Sequence, residues 1–372
     1  MMTAVHSDFL NLVRLGIGHR AEVLSANPDW DAIYGHAVRH GLPAVLVDGV
    51  NKLKEAVSEK NSVSLPPTET MLRWIGEALQ SFELPRQRYL QAIASLAAFY
   101  NAHGYRMMVL KGYACSLNWP RPEHRHCGDI DIWLFDRQRE ADATLAKKTG
   151  ISIDATHHHH TVFDWGGYMV ENHYDFVNVH SYRSSRRMEK LFKQLGAFEQ
   201  SGHGFEHQQV ELAGVPLWLP SPNLHALFLL RHMGAHFAAI VITLRQLLDW
   251  AFFAEKHTGE IDWEWLQGVL VEYRMSDFFN CMNAICVEDL GFDADIFPRA
   301  DFDRTLKERI LTDILDPKYH VEEPEGFIPK MAYKYRRWQG NSWKQRLVYD
   351  DNRFVSFWTG LKEHVVKPET KG

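Results

Sequence analysis

Two carboxylates stand two residues apart in Gly128-Asp129-Ile130-Asp131-Ile132, and upstream of them Val109-Leu110 runs into Lys111-Gly112. If the segment from Asp129 to Phe135 is a strand, Asp129 and Asp131 project from one face with Cα atoms roughly 6–7 Å apart. Two ionised carboxylates about 5 Å apart repel by roughly 3 kcal/mol at an effective dielectric near 20. A divalent cation between them removes that repulsion, so the pair predicts metal-assisted phosphoryl chemistry. Such chemistry needs backbone close to phosphates, a cation to balance charge, and carboxylates to hold Mg²⁺. Lys111-Gly112 and Arg125 supply the first two requirements. A two-metal site asks for a third acid from another strand, and Glu171 is the best placed, ahead of Asp175 and Asp164. The plainer alternative is a polar strand end with solvated acids and a surface glutamate.

The elements that must position these residues follow from spacing. Apolar residues three to four apart (Phe9, Leu12, Val13, Leu15, then Ile33, Ala37, Val38) predict helices over residues 1–104, broken near Ser62 to Pro67. A long helix is expected from near Pro85 through Tyr100, ending at Gly104. Strands are predicted at Arg106–Leu110 and Asp129–Phe135, the second with Ile130, Ile132 and Leu134 opposite the acids. A helix follows over Arg139–Gly150. Gly166-Gly167 predicts a tight hairpin between Thr161–Trp165 and Tyr168–His173, with Met169, Glu171 and His173 on one face. Val210–Leu219, with Gly214 inside it, reads as another hairpin. Ser221-Pro222 predicts a helix start, and the rest of the chain is mostly helical. The fold class is α+β, with a mixed-sheet core at 105–220 between helical regions at 1–104 and 221–372.

The ordered set Leu110-Lys111-Gly112, Arg125, Gly128-Asp129-Ile130-Asp131-Ile132, Val170-Glu171-Asn172-His173, then helical His232 and Asp249 resembles the uncharacterised nucleotidyltransferase family. That family is a branch of the DNA polymerase β-like nucleotidyltransferase superfamily, and the resemblance covers roughly residues 90 to 255. It implies a nucleotidyltransferase-fold sheet in which Asp129, Asp131 and Glu171 bind two Mg²⁺ ions. Lys111, Gly112, Arg125 and Gly128 would then line the nucleotide, with Gly112 at the turn near the triphosphate. The implied reaction moves an NMP from an NTP, such as ATP, to a hydroxyl acceptor and releases pyrophosphate. One departure stands out: the superfamily has Gly-Gly or Gly-Ser at that turn, and this chain has Gly112-Tyr113. Lys111 or Arg125 would take over the work of the missing serine hydroxyl.

Further candidates lie outside this set. His232 and His236 share a helix face, which suits either the interdomain seam or a metal. With Asp249 they define a rival reading as a metal-dependent phosphohydrolase. Arg245 and Asp249 are spaced as a helical pair, while His173, Arg231, His232 and Arg245 are candidates for the cleft wall. His157 to His160 read as a strand lead-in whose alternate rings face solvent and sheet, with one histidine near the cleft. Cys281 and Cys286 read as core, and the four cysteines have no disulfide or metal spacing.

Composition narrows the remaining classes. Hydrophobic residues at 45% and charged residues at 24% are those of an ordinary globular protein. No apolar run approaches the length of a membrane span, and residues Met1 to Leu10 do not read as a signal peptide, so a cytoplasmic protein with reduced thiols is expected. A formal net charge of −6 makes nucleic acid an unfavoured partner. Lys330 to Arg346 is a local exception, with six basic residues, four aromatics and no acids. It is either a solvated face or a docking surface for an anion. The acceptor, small molecule or macromolecule, leaves no code in the sequence. The rival from another class is a non-catalytic nucleotide-binding or scaffolding protein that kept the fold.

Overall fold

A computed structural model describes residues 2–22, 24–56, 63–180, 182–239, 241–319 and 324–351. Ser62 and the last part of the expected C-terminal helical region lie outside the described residues. At the centre is a six-stranded mixed sheet. In chain order the strands are β1 (Met108–Val109), β2 (Ile130–Trp133), β3 (His160–Trp165), β4 (Tyr168–His173), β5 (Gln208–Leu212) and β6 (Val215–Leu219). They lie side by side as β3-β4-β2-β1-β6-β5. With helices packed on the sheet, the fold is α+β, as the sequence predicts.

Turn chemistry sets both hairpins. Gly166 and Gly167 adopt φ of +63° and +82°, the two left-handed positions of a tight turn whose twist matches its strands. β5 and β6 join through Ala213 and Gly214 in the same way, at +52° and +77°. β1 is shorter than the predicted Arg106–Leu110, because only Met108 and Val109 sit in the ladder with β2. Two flanking bonds continue the pairing: Leu110 N–H donates to Asp131 C=O (3.0 Å) and Trp218 N–H to Met107 C=O (2.8 Å).

Alternation along the strands separates two cores. Val109, Ile130, Ile132, Phe163, Val170 and Leu217 pack with Ile93, Leu96, Ala141 and Leu145. Those partners come from the helices Leu84–Ala102 and Gln138–Thr149. On the opposite face Met108, Leu110 and Trp133 join Leu224 and Phe228 of the helix Pro222–Ala239. Asp131, between Ile130 and Ile132, therefore shares the face of Trp133.

The helix ahead of the sheet is longer than expected. Thr68–Ala78 runs through a π-helical segment, Leu79–Glu83, into Leu84–Ala102. Pro67 stands at its N-cap position, and Gly104 (φ +77°) follows its end. The N-terminal helices Ala4–Gly16, Trp30–His40 and Pro43–Ala56 bury Phe9, Leu12, Val13, Ile33 and Ala37 in the same core as Phe252 and Phe292. Val38, expected inside, is 54% exposed. His36, Ala37 and His40 take the buried stripe instead.

His40 fastens this seam. Its Nδ1 accepts the Leu244 N–H at 3.2 Å, and its ring stacks on Phe9 beside His36. Burial pushes the pKa of His40 down to about 3 and that of His36 to about 4. Both folded values lie below the ordinary 6.5, so the unfolded chain binds protons first as pH falls. Stability should be fully present above pH 6.5 and decline below it, by up to ~1.4 kcal/mol per pH unit for each histidine. Urea unfolding at pH 7 and pH 5 measures this. The loss should be smaller in His40→Gln than in the wild type, and equal losses would contradict the assignment.

Candidate active site

Parallel pairing of β2 with β4 places Asp131 directly opposite Glu171, and Trp133 opposite His173. Antiparallel pairing of β3 with β4 then sets His160 opposite His173 and Val162 opposite Glu171. Opposed residues share a face, so Asp131, Glu171, His173 and His160 gather on the side covered by Pro222–Ala239.

The side chains meet. Lys111 Nζ lies 2.6 Å from Asp131 Oδ1. His173 Nε2 is 3.1 Å from that same oxygen and 3.6 Å from Glu171 Oε2. His160 Nε2 is 3.9 Å from Glu171 Oε1. Asp131 is 1% exposed, whereas the side chains of Lys111 and Glu171 keep 14% and 18%. The cluster is therefore buried at its aspartate and open to solvent at its lysine and glutamate.

Mutual charge governs how these groups hold protons. Burial alone would raise the Asp131 pKa, but Lys111 and His173 hold it well below the usual carboxylate range. Burial opposes the charge on Lys111 too, and Asp131, Glu171 and Asp129 together overcome that, raising its pKa. His173, against the same burial, is pushed up to about 9 by its bonds to Asp131 and Glu171. Asp129 is raised by burial and by the neighbouring charge of Asp131. Asp131, Glu171 and His173 form one group whose ligand atoms all lie within 4.8 Å of one another. Asp129, one residue ahead of the ladder, lies outside that group but within its field.

Gly112 sits where only glycine fits. Its φ is +55°, and a Cβ there would lie 2.2 Å from the Tyr89 hydroxyl. Tyr89 O–H donates to the Asp129 C=O at 3.0 Å, so the long helix ties the glycine turn to the start of β2. Gly128 is exposed just before Asp129.

The family described as uncharacterised nucleotidyltransferase matches residues 26–291, which take in all six strands and Lys111, Asp129, Asp131 and Glu171. The chain belongs to that family. No curated protein and no solved structure matches it. Among the described residues no helix is long and apolar enough to cross a membrane.

Within this nucleotidyltransferase family member, several predicted cleft residues are committed elsewhere. Arg125 points into the protein: its Nε and Nη2 donate to Asp249 at 3.0 and 2.8 Å, and its Nη1 to the His126 C=O at 2.9 Å. It positions the loop ahead of Asp129, with its guanidinium 8% exposed and turned to Asp249. Arg245 Nη1 also donates to the His126 C=O, at 2.9 Å. The expected Arg245–Asp249 pair gives way to Arg125, whose fork matches the carboxylate. Trp119 Nε1 bonds Asp249 as well (2.8 Å), which removes Asp249 from a His232–His236–Asp249 hydrolase site. Arg231 is buried, where it donates to the Val348 C=O and Ser185 Oγ and lies over the Tyr349 ring.

His232 and His236 do face the cluster. Their rings pack edge to face at 4.4 Å, and after burial the Lys111 charge is the main influence lowering the pKa of each. The larger surprise is the histidine run. His159 and His160, read as a strand lead-in, reach the site with His173. Alternation from Val162 back to His160 carried that signal, but it became visible only with the β3–β4 register. A buried network behind β4 also escaped the sequence reading: Asp142 accepts bonds from Asn172 Nδ2 (2.8 Å), Thr161 Oγ1 (2.8 Å) and Gln138. It fixes Asn172, the residue between Glu171 and His173.

Proposed function

We propose that this chain moves a nucleoside monophosphate from an NTP to a hydroxyl acceptor and releases pyrophosphate, with divalent cations held by Asp129, Asp131 and Glu171. The observation that carries this reading is the in-register opposition of Asp131 and Glu171 on neighbouring parallel strands, beside Lys111 at a glycine turn. Three carboxylates in one field form an oxygen-rich donor set of the kind Mg²⁺ takes. Bound Mg²⁺ would neutralise the triphosphate and favour attack at the α-phosphate. Lys111 carries a raised pKa and stays cationic, so it balances phosphate charge at the Gly112 turn. His173 holds Asp131 and Glu171 together from below. Glu171, the more open acid, is the better group to take the acceptor's proton, because Asp131 already accepts from Lys111 and His173.

The test incubates the protein with each α-labelled NTP, Mg²⁺ and a cell extract. Label should pass to an acceptor with stoichiometric pyrophosphate, and EDTA should stop it. If no label moves and calorimetry finds no Mg²⁺-dependent NTP binding, the reading fails. A scaffold that kept the fold, which the Gly112-Tyr113 turn would suit, then replaces it.

A further inference from the structure

A second donor group lies beside the acids and is made of nitrogen. His159, His160 and His173 each offer one ring atom, and the three atoms lie within 4.8 Å of one another. His160 and His173 are 7% and 3% exposed. The Nδ1 atoms of His159 and His160 are buried without a hydrogen-bond partner. Buried ring nitrogens left unpaired carry a desolvation penalty, which a cation relieves when the ring turns that nitrogen toward it.

Strand pairing builds this group, and the histidine run alone does not. β3 sets His160 opposite His173 on β4. Just before β3, the His159 C=O accepts the N–H groups of Tyr174 and Asp175, both at 3.0 Å, which holds His159 against the end of β4. The His159 and His160 rings meet edge to face at 4.4 Å, and each lies near the His173 ring, at 5.6 and 5.3 Å. A carboxylate is at hand, since Glu171 presents one oxygen to His160 and the other to His173.

We propose that His159, His160 and His173 form a binding site for a divalent transition cation of the zinc class, with Glu171 or water as fourth ligand. Imidazole suits Zn²⁺, Co²⁺ and Ni²⁺, whereas Mg²⁺ takes oxygen ligands. Metal–nitrogen bonds of about 2.0–2.1 Å require the rings to draw together by roughly an ångström, within reach of side-chain rotation. The site differs in chemistry from the Mg²⁺ acids but shares His173 with them, and Glu171 too where that is the fourth ligand. A cation here displaces to solvent the proton that His173 holds toward Asp131 and Glu171, so its occupancy would tune the neighbouring site. The proposal stands whether or not the acids transfer a nucleotide.

Cobalt titration of the full chain, read by visible absorption and checked by calorimetry with Zn²⁺, tests it without any activity assay. One ion per chain should give the intense bands of low-coordinate Co²⁺, which an octahedral Co²⁺ on the acids would not give. His160→Gln and His173→Gln should each weaken binding by ~100-fold or more and remove those bands. Asp129→Asn should bind Co²⁺ as the wild type does. His173→Gln decides the matter because it leaves the run His157 to His160 intact. Wild-type affinity in a folded His173→Gln protein would mean that the run alone holds the ion, and would overturn the proposal. If His173→Gln fails to fold, the double variant His157→Gln with His158→Gln takes its place: it leaves all three proposed ligands, so wild-type bands are expected and their loss would overturn the proposal. Label transfer with Mg²⁺ in a protein that binds no Co²⁺ would sink this inference and leave the proposed reaction standing.

Discussion

Asp131→Asn should lower label transfer by ~10³-fold or more while the protein stays folded. Asp131 is the acid on which the cluster converges, since its Oδ1 faces both Lys111 (2.6 Å) and His173 (3.1 Å). The carboxamide keeps the shape and loses the charge. Its carbonyl oxygen can take the place of Oδ1 toward Lys111 and His173, while the NH₂ replaces the second oxygen that a cation would need. Folding should survive, because Glu171 and Asp129 still offset the charge on Lys111. A loss of ~1–3 kcal/mol in urea unfolding is expected. An independent readout separates this from a general disturbance. His173 owes its pKa of about 9 first to its bond with Asp131, so its NMR titration midpoint should fall in the variant. Transfer within tenfold of the wild type would remove Asp131 from the reacting centre.

The legible parts of this molecule are those written over a few residues. Ile130 and Ile132 alternate with the acids, Gly166-Gly167 marks a turn that needs two left-handed residues, and Ser221-Pro222 starts a helix. Each of these spells a local backbone preference, and the structure carries all of them. The parts that stayed hidden depend on register between distant segments. Nothing in the sequence says that β4 lies parallel to β2 with Glu171 at Asp131, because the whole of β3 and a helix intervene. The same holds for His160, which reads as one of a strand lead-in's alternating histidines until β3 is set against β4. The partner of Arg125 is hidden for a related reason. A lone arginine beside a predicted phosphate site looks like a phosphate ligand, and the carboxylate it pairs with, Asp249, lies 124 residues away.

That arginine gives the largest expected effect on stability. Arg125, Asp249 and Trp119 are all buried, and the carboxylate accepts both guanidinium bonds and the indole N–H. Asp249→Ala leaves a buried guanidinium without a counter-charge, and a loss of ~3–5 kcal/mol in urea unfolding is expected. Arg125→Met together with Asp249→Leu removes both charges and refills the space, so most of that loss should return. Transfer should not return with it. Arg125 Nη1 also fixes the His126 C=O, and the double variant gives up that hold on the loop delivering Asp129. Arg245, the second donor to the same carbonyl, remains and keeps the loop from disordering altogether. A double variant that is stable yet slow would show that the pair acts on the reaction by placing Asp129. A stable double variant at full rate would reduce the pair to packing, and one as unstable as Asp249→Ala would show that apolar groups cannot fill the space the ions hold.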